Sequence, residues 1–383
     1  MALTWLAEPG NRKVWELVER FGAPEALDRL MRSELKGAMR TALQVRAPDL
    51  APGRLMELTL GRARRLGARI VVPSDDEWPR RVESLATLRL DGPGRANEDV
   101  RPPLCFWVRG PWPLGATLER SVAVVGARAA TPYGLHVTTE LAFGLAEAGW
   151  TVVSGGAFGI DAAAHRAAMA GGGRTVAVLA CGVDRPYPAG NSAMFEQITE
   201  TGLLISEWPP GAEPLRHRFL IRNRVIAAAT AGTVMVEAAA RSGAAQTMSR
   251  VLALNRTAMI VPGPVTSAVS VGCHELLRDR PETILVTGLP HVLEAVGRVG
   301  EYFADPPRGP AHRRDSLDEE SALVLEAVPR RGTATPEELA AKAGVELRTV
   351  LRRLSLLEVA GFVERRGAGV ALAPPSTPDS RHD

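Results

Sequence analysis

Lysine is almost missing from this chain. Three lysines, at 13, 36 and 342, stand against 43 arginines in 383 residues. None of them closes a glycine-rich run, so a lysine-tipped phosphate loop of the Walker kind is excluded. Aromatic residues are also scarce, at 5% of the chain, and the cores must therefore be aliphatic. Cysteine is limited to Cys105, Cys181 and Cys273, a scattered set with no CxxC pair. Neither a disulfide framework nor a structural zinc site fits that pattern, and a cytoplasmic location is expected. No apolar run reaches the ~18 residues of a membrane span. The longest, residues 225–236, lies between Arg224 and Glu237. The opening MALTWLAEPGNRKVW lacks a basic stretch followed by an apolar one, so no signal peptide is expected.

What remains is ordinary globular material, 45% hydrophobic and 23% charged, long enough for two or three domains at about 150 residues each. The net charge of +3 is mildly basic. The arginine excess reads first as coding bias, although guanidinium groups also suit bidentate phosphate contacts.

Four regions follow from patterning. Residues 1–67 read as a small helical domain: Val14, Leu17, Val18 and Phe21 keep helical spacing, Gly22 stops that helix, and further helices are expected over 26–31 and 54–66. Residues 68–300 begin with short strands in ARIVVP and LCFWVRG around a loop. They then alternate apolar strands (SVAVVG, WTVVSGG, RTVAVLACG, GLLISE, GTVMVEA, TAMIVPG, ETILVTG) with helices over 133–148, 160–170, 191–200, 220–230, 244–254 and 274–278. Near-continuous apolar strands separated by helices give a parallel sheet covered on both faces, so the fold expected is α/β, doubly wound and Rossmann-like. Residues 301–320 read as a linker. Residues 321–373 read as three helices and a hairpin, a winged-helix order, with Thr335, Pro336, Glu337 and Glu338 opening the second helix. A disordered tail is expected over 374–383.

Ligands of such a sheet bind at the carboxyl ends of its strands. Gly126-Ala127-Arg128 follows the first strand of the alternating series, and Gly155, Gly156 and Gly159 follow the second and open a helix. Amides at a helix start favour an anion, but the run is not GxGxxG, so dinucleotide binding is poorly supported. The densest charge is Arg216-His217-Arg218-Phe219-Leu220-Ile221-Arg222-Asn223-Arg224, with no interleaved carboxylate. Cations that track a backbone beside an aromatic ring suit single-stranded nucleic acid. The alternative is that these arginines pair with Glu207 and Glu237. Asp161 and His165, four apart on one helical face, read as a local contact rather than an acid–base pair. No HExxH motif and no carboxylate cluster is present, so no catalytic residue, metal or cofactor is expected.

Several runs together carry a resemblance. VAVVGAR, VVSGGAFGIDAAAH, TVAVLACGVDRPYP, GLLISEWPPG, RFLIRNRVIAA, VEAAARSGAAQT and VPGPVTSAVSVGCHELL, spread over residues 70–290, are similar to the DNA-processing protein A (DprA/Smf) family. The resemblance implies a non-enzymatic protein that binds and protects single-stranded DNA during natural transformation and loads RecA recombinase onto it. It also implies a homodimer built through the Rossmann-like domain. Its DNA contacts would fall on Gly126, Arg128, Gly155, Gly156, Arg216, Arg218, Phe219, Arg222 and Arg224. The chain departs from the family's SGLARGID, with Gly156 and Phe158 in place of the leucine and arginine, so one positive charge is lost and an aromatic ring is gained. Leu220, the SGAAQT run and His274 are further departures.

Two rivals stand beside this reading. The sheet more distantly resembles a cytokinin-activating phosphoribohydrolase, a nucleotide hydrolase, with a partial motif from Ala231-Gly232-Thr233 to Glu237. A winged-helix transcription regulator would need a basic recognition helix, and residues 321–372, with eight basic and six acidic residues, carry a net charge of only +2.

Overall fold

A computed structural model describes residues 1–32, 52–89, 100–302, 314 and 317–374. The chain divides into two compact units, Met1–Ala304 and Asp305–Asp383. Most of the expected linker and nearly all of the expected tail lie outside the described residues, as do positions 91–99 of the expected loop.

Among the described residues the first unit opens with four helices, α1 (Ala2–Leu6), α2 (Arg12–Phe21), α3 (Ala23–Arg32) and α4 (Pro52–Arg65). The Asn11 side chain caps α2 by accepting from the Val14 amide, and Gly22, at φ 76°, ends it. Trp5 Nε1 donates to Thr59 Oγ1 at 3.2 Å, tying α1 to α4. These helices were expected as a domain of their own, yet they share one compact unit with the sheet. Ala63 of α4 packs in one cluster with Trp107, Leu179 and Phe195, so burial of apolar surface joins the helices directly to the sheet.

The sheet has nine strands: β1 (Ala68–Val71), β2 (Phe106–Arg109), β3 (Ser121–Gly126), β4 (Thr151–Ser154), β5 (Thr175–Val178), β6 (Leu203–Ser206), β7 (Gly232–Val236), β8 (Thr257–Ile260) and β9 (Ile284–Leu285). Their order is β1-β2-β6-β5-β4-β3-β7-β8-β9. β6 to β9 pair in parallel and β1 and β2 add an antiparallel edge. Between strands run α5 (Leu114–Glu119), α6 (Pro132–Glu147), α7 (Ile160–Ala170), α8 (Ser192–Thr201), α9 (Arg216–Ala229), α10 (Gly243–Ala253), α11 (Val271–Asp279) and α12 (Leu289–Val296). The two-residue period of a strand sends neighbours to opposite faces. Val122 and Val124 pack with Leu141 and Leu145 of α6 and Ile160 of α7. Ala123 and Val125 pack with Val225 and Ile226 of α9 and Met248 of α10. The result is a mostly parallel, Rossmann-like α/β sheet with helices on both faces. No helix among the described residues is long and apolar enough to cross a membrane.

Two departures from expectation matter. α9 begins at Arg216, four residues before the expected start. The whole basic run is therefore helical, and its side chains are distributed around a cylinder. ETILVTG supplies only the two-residue β9, because the Thr283 amide turns back to the Arg280 carbonyl.

The second unit contains α13 (Glu319–Ala327), α14 (Pro336–Ala343), α15 (Leu347–Val359) and the hairpin β10 (Val363–Arg366) and β11 (Gly369–Leu372). Thr335 and Glu338 form a reciprocal capping box at the start of α14, and Gly344, at φ 66°, closes it. Val324, Leu339, Val350, Leu354, Val363 and Val370 make its core. On α15, Arg353 pairs with Glu320 at 2.6 Å and Asp318 at 3.0 Å, and Arg352 with Glu320 at 3.5 Å. Two of the three arginines on the helix that a regulator would use to read DNA are thus met by carboxylates.

Candidate nucleic-acid interface

In chain order the sheet grows outward from β3 to β6 and then returns to place β7 on the other side of β3. That reversal opens a crevice at the carboxyl ends of β3 and β7. An open cleft of about 700 Å³ lies there, lined by residues that include Gly126, Arg128, Tyr187, Arg216, Phe219, Arg222, Asn223 and Ser242.

Each expected contact residue can now be placed. Arg128, two residues beyond β3, and Arg216, in the first turn of α9, are exposed, and neither forms an ion pair among the described residues. Phe219 stands between guanidinium groups: Arg128 Cζ lies 5.7 Å and Arg222 Cζ 5.9 Å from its ring centroid. Gly126 is fixed by packing, since a Cβ there would lie 1.9 Å from the Val236 carbonyl oxygen and 2.6 Å from Ile160 Cγ1.

Arg222 forms the back of the cleft and is 5% exposed. Its Nη1 donates to the Gly155 carbonyl at 2.8 Å and to the Val178 carbonyl, and its Nε donates to Asn223 Oδ1 at 3.1 Å. Gly155 is small because this guanidinium lies against it: a Cβ would fall 2.4 Å from Arg222 Nη1. Gly156, at φ 74°, backs onto the Phe195 ring.

The glycine turn holds an anion, but one from its own chain. The amides of Gly155 and Ala157 donate to Asp161 Oδ2 at 3.2 and 3.3 Å. Burial pushes the Asp161 carboxyl up from its ordinary value, while Arg222 and these amides pull it down. The expected phosphate-accommodating role of Gly155 and Gly156 is thereby corrected: two of the turn's amides already serve Asp161, and the glycines make room for Arg222 and Phe195.

Arg218 and Arg224 are also corrected. Arg224 is fully buried, and its Nη1 and Nη2 donate to the two Glu207 oxygens at 3.0 and 2.8 Å. Arg218 is 4% exposed and binds Glu8, which precedes α2, through Nε and Nη2. Glu8 also accepts from Trp208 Nε1 at 2.8 Å. Both guanidinium groups are structural and point away from the cleft. Glu237, the other carboxylate considered as an arginine partner, accepts instead from the Thr131 amide at 2.9 Å and from the Thr131 hydroxyl. Gly232 and Thr233 of the hydrolase-like run lie inside β7, buried in the sheet.

Asp161 does tie its loop to α7, as read from the sequence, but His165 turns elsewhere. Its Nδ1 lies 2.7 Å from Thr175 Oγ1 in the core, and that hydroxyl donates to the Val152 carbonyl. Burial, with the charges of Arg222 and Arg166, pulls its pKa down to about 3, so the imidazole is neutral at physiological pH. A histidine depressed in the folded state from its ordinary 6.5 is protonated first in the unfolded chain. Stability therefore falls as pH drops from about 6.5 towards 3, by up to about 1.4 kcal/mol per pH unit. Asp161 and Glu207, raised by burial, act in the opposite sense, so the signature is a difference between two proteins. His165→Leu should lose less stability than the parent, or gain more, as pH falls from 6.5 to 4.5, and equal slopes would contradict the assignment.

Sequence reasoning missed Glu8 altogether, because no local pattern links it to a residue 210 positions away. It also left out Tyr187 and Asn191. The signal for Tyr187 was present, an aromatic residue directly after the β5 loop in an aromatic-poor chain.

A family model described as DNA recombination-mediator protein A matches residues 69–297. A putative DNA processing protein DprA from Mycobacterium tuberculosis is 45% identical over 381 residues, covering 97% of this chain and 95% of that protein. Protein Smf of Escherichia coli is 33% identical over 252 residues, covering 65% of this chain and 67% of that protein. Among solved structures, DNA processing protein A from Streptococcus pneumoniae matches with a TM-score of 0.56 at 28% identity, over 77% of this chain and 95% of that one.

Proposed function

The chain belongs to the DNA-processing protein A (DprA/Smf) family, with a role in DNA processing and recombination, and on that premise we propose that its cleft binds single-stranded DNA. The observation that carries the reading is the pair of exposed arginines, Arg128 and Arg216, lining one cleft with Phe219 and with Arg222 behind it. Phosphates supply sequence-independent affinity through the guanidinium groups, and the aromatic ring receives a base. The reading is not catalytic. His165 is held neutral, Asp161 is committed to the glycine turn and Glu237 to Thr131. The strand so held is handed to RecA recombinase, which makes the protein a mediator during natural transformation or homologous recombination. Titration of single- and double-stranded oligonucleotides at several salt concentrations tests the reading: the single strand is bound more tightly, and Arg128→Ala weakens it. Equal affinity for the two forms would reject it.

The protein acts as a homodimer through the Rossmann-like domain. The outer edge of the sheet supports this: β9 ends the sheet, and Val265, Val271, Ile284 and Leu285 are exposed on β9 and the segment leading to it. An unpaired apolar edge is a ready partner for a second edge. Leu285→Asp should convert dimer to monomer by light scattering and leave the thermal midpoint nearly unchanged. A variant that stays dimeric would place the interface elsewhere.

A further inference from the structure

In a chain with so few aromatic residues, two rings are half-exposed near the cleft: Tyr187 lines it, and Phe158 follows Ala157, which also lines it. Tyr187 is 48% exposed and Phe158 51% exposed. Tyr187 meets Phe219 edge to face, with centroids 5.8 Å apart and planes at 62°. Rings at that angle cannot both join one continuous stack, so a strand leaving Phe219 must turn to lie on Tyr187. Phe158, in the β4–α7 loop, lies against Gly190, in the turn that follows Tyr187. A Cβ on Gly190 would lie 3.0 Å from its Cζ.

The turn between the rings is rigid. Asn191 is 3% exposed, and its Nδ2 donates to the Gly156 carbonyl at 3.0 Å and the Ala157 carbonyl at 3.4 Å. Its Oδ1 accepts from Arg166 Nη2 at 3.3 Å. Arg166 is exposed and forms no ion pair among the described residues. Cations are held at both parts of this surface: Arg128 lies beside Phe219, and Arg166 is hydrogen-bonded to Asn191, four residues after Tyr187. Apolar faces beside cations suit a polyanion that carries flat bases.

We propose that Tyr187 and Phe158 form a base-stacking platform that carries the single strand out of the cleft towards Arg166. The inference rests on the single-strand reading of the cleft. Phe158 then exchanges a charge for a stacking face: the loop grips a base where a cation would grip a phosphate.

The test uses the full chain and an oligonucleotide with 2-aminopurine placed along the strand, whose fluorescence is quenched by stacking. Phe158→Ala and Tyr187→Ala should each weaken binding about fivefold or more. They should also relieve quenching at one position and leave the salt slope unchanged, since no charge is removed. Tyr187→Phe should bind as the parent does, because the ring is kept. Phe158→Arg should restore affinity with a salt slope steeper by about 0.7 and without the quenching. If both alanine variants bind and quench like the parent while Arg128→Ala is weakened, the platform is refuted and the cleft stands. A Tyr187→Phe loss as large as that of Tyr187→Ala would also refute stacking. If Arg128→Ala also binds like the parent, the cleft reading fails and the platform with it.

Discussion

Arg224→Ala is expected to destabilise the protein by about 3–5 kcal/mol, the loss typical when one partner of a buried ion pair is removed. Arg224 is fully buried, and Glu207, at 3% exposure, would be left without the guanidinium that grips both its oxygens. Burial already pushes the Glu207 carboxyl up, and Arg224 is the first influence pulling it down. Without Arg224 the site is most stable with Glu207 protonated, so the deficit should shrink as pH falls. Denaturant melts at two pH values measure this. Arg224→Met combined with Glu207→Leu removes both charges and keeps the volume, and should recover most of the loss. A single variant that melts like the parent yet loses single-strand binding would return Arg224 to the DNA interface.

Arg128→Ala and Arg216→Ala are expected to behave in the reverse way, with stability nearly unchanged and binding strongly reduced. Both side chains are exposed and free of ion pairs among the described residues, so truncating either leaves no buried charge behind. A lost charge-assisted hydrogen bond to phosphate is worth about 1.5–3 kcal/mol, tenfold or more in affinity. Arg128 should carry an added penalty, because its guanidinium also flanks the Phe219 ring at 5.7 Å. Fluorescence anisotropy with a labelled single strand reads both losses. Variants that bind as the parent does would show that the strand passes elsewhere.

The contrast between these two groups of arginines shows where the sequence was legible. The apolar runs in the parallel part of the sheet and the glycine-rich turns at their ends announced the fold, because burial on both faces leaves a continuous apolar signature. Arg128 was legible for the same reason, being tied to the end of a strand. In the run from Arg216 to Arg224 the sequence shows dense charge but not which arginines face out. The run is a helix from its first residue, and residues four apart share a face. Arg216 with Leu220, Phe219 with Asn223 and Arg222 with Ile226 therefore line the cleft, while Arg218 and Arg224 turn inward to Glu8 and Glu207. Of the partners that fix the inward set, Glu207 stood among the alternatives read from the sequence, whereas Glu8 did not. Glu8 and Glu207 come from distant segments, and composition records that carboxylates exist without saying which guanidinium they meet. The glycine turn misled in a third way. Its amides do gather an anion, but Asp161, six residues after Gly155, reaches it first.

One titration bears most directly on the claim that a cleft with two exposed guanidinium groups holds the strand. It is the dependence of single-strand affinity on salt for the parent and for the Arg128→Ala, Arg216→Ala double variant. Counterion release predicts that the slope of log K against log salt falls by about 1.4, roughly 0.7 for each charge removed. An unchanged slope, with affinity intact, would contradict the account.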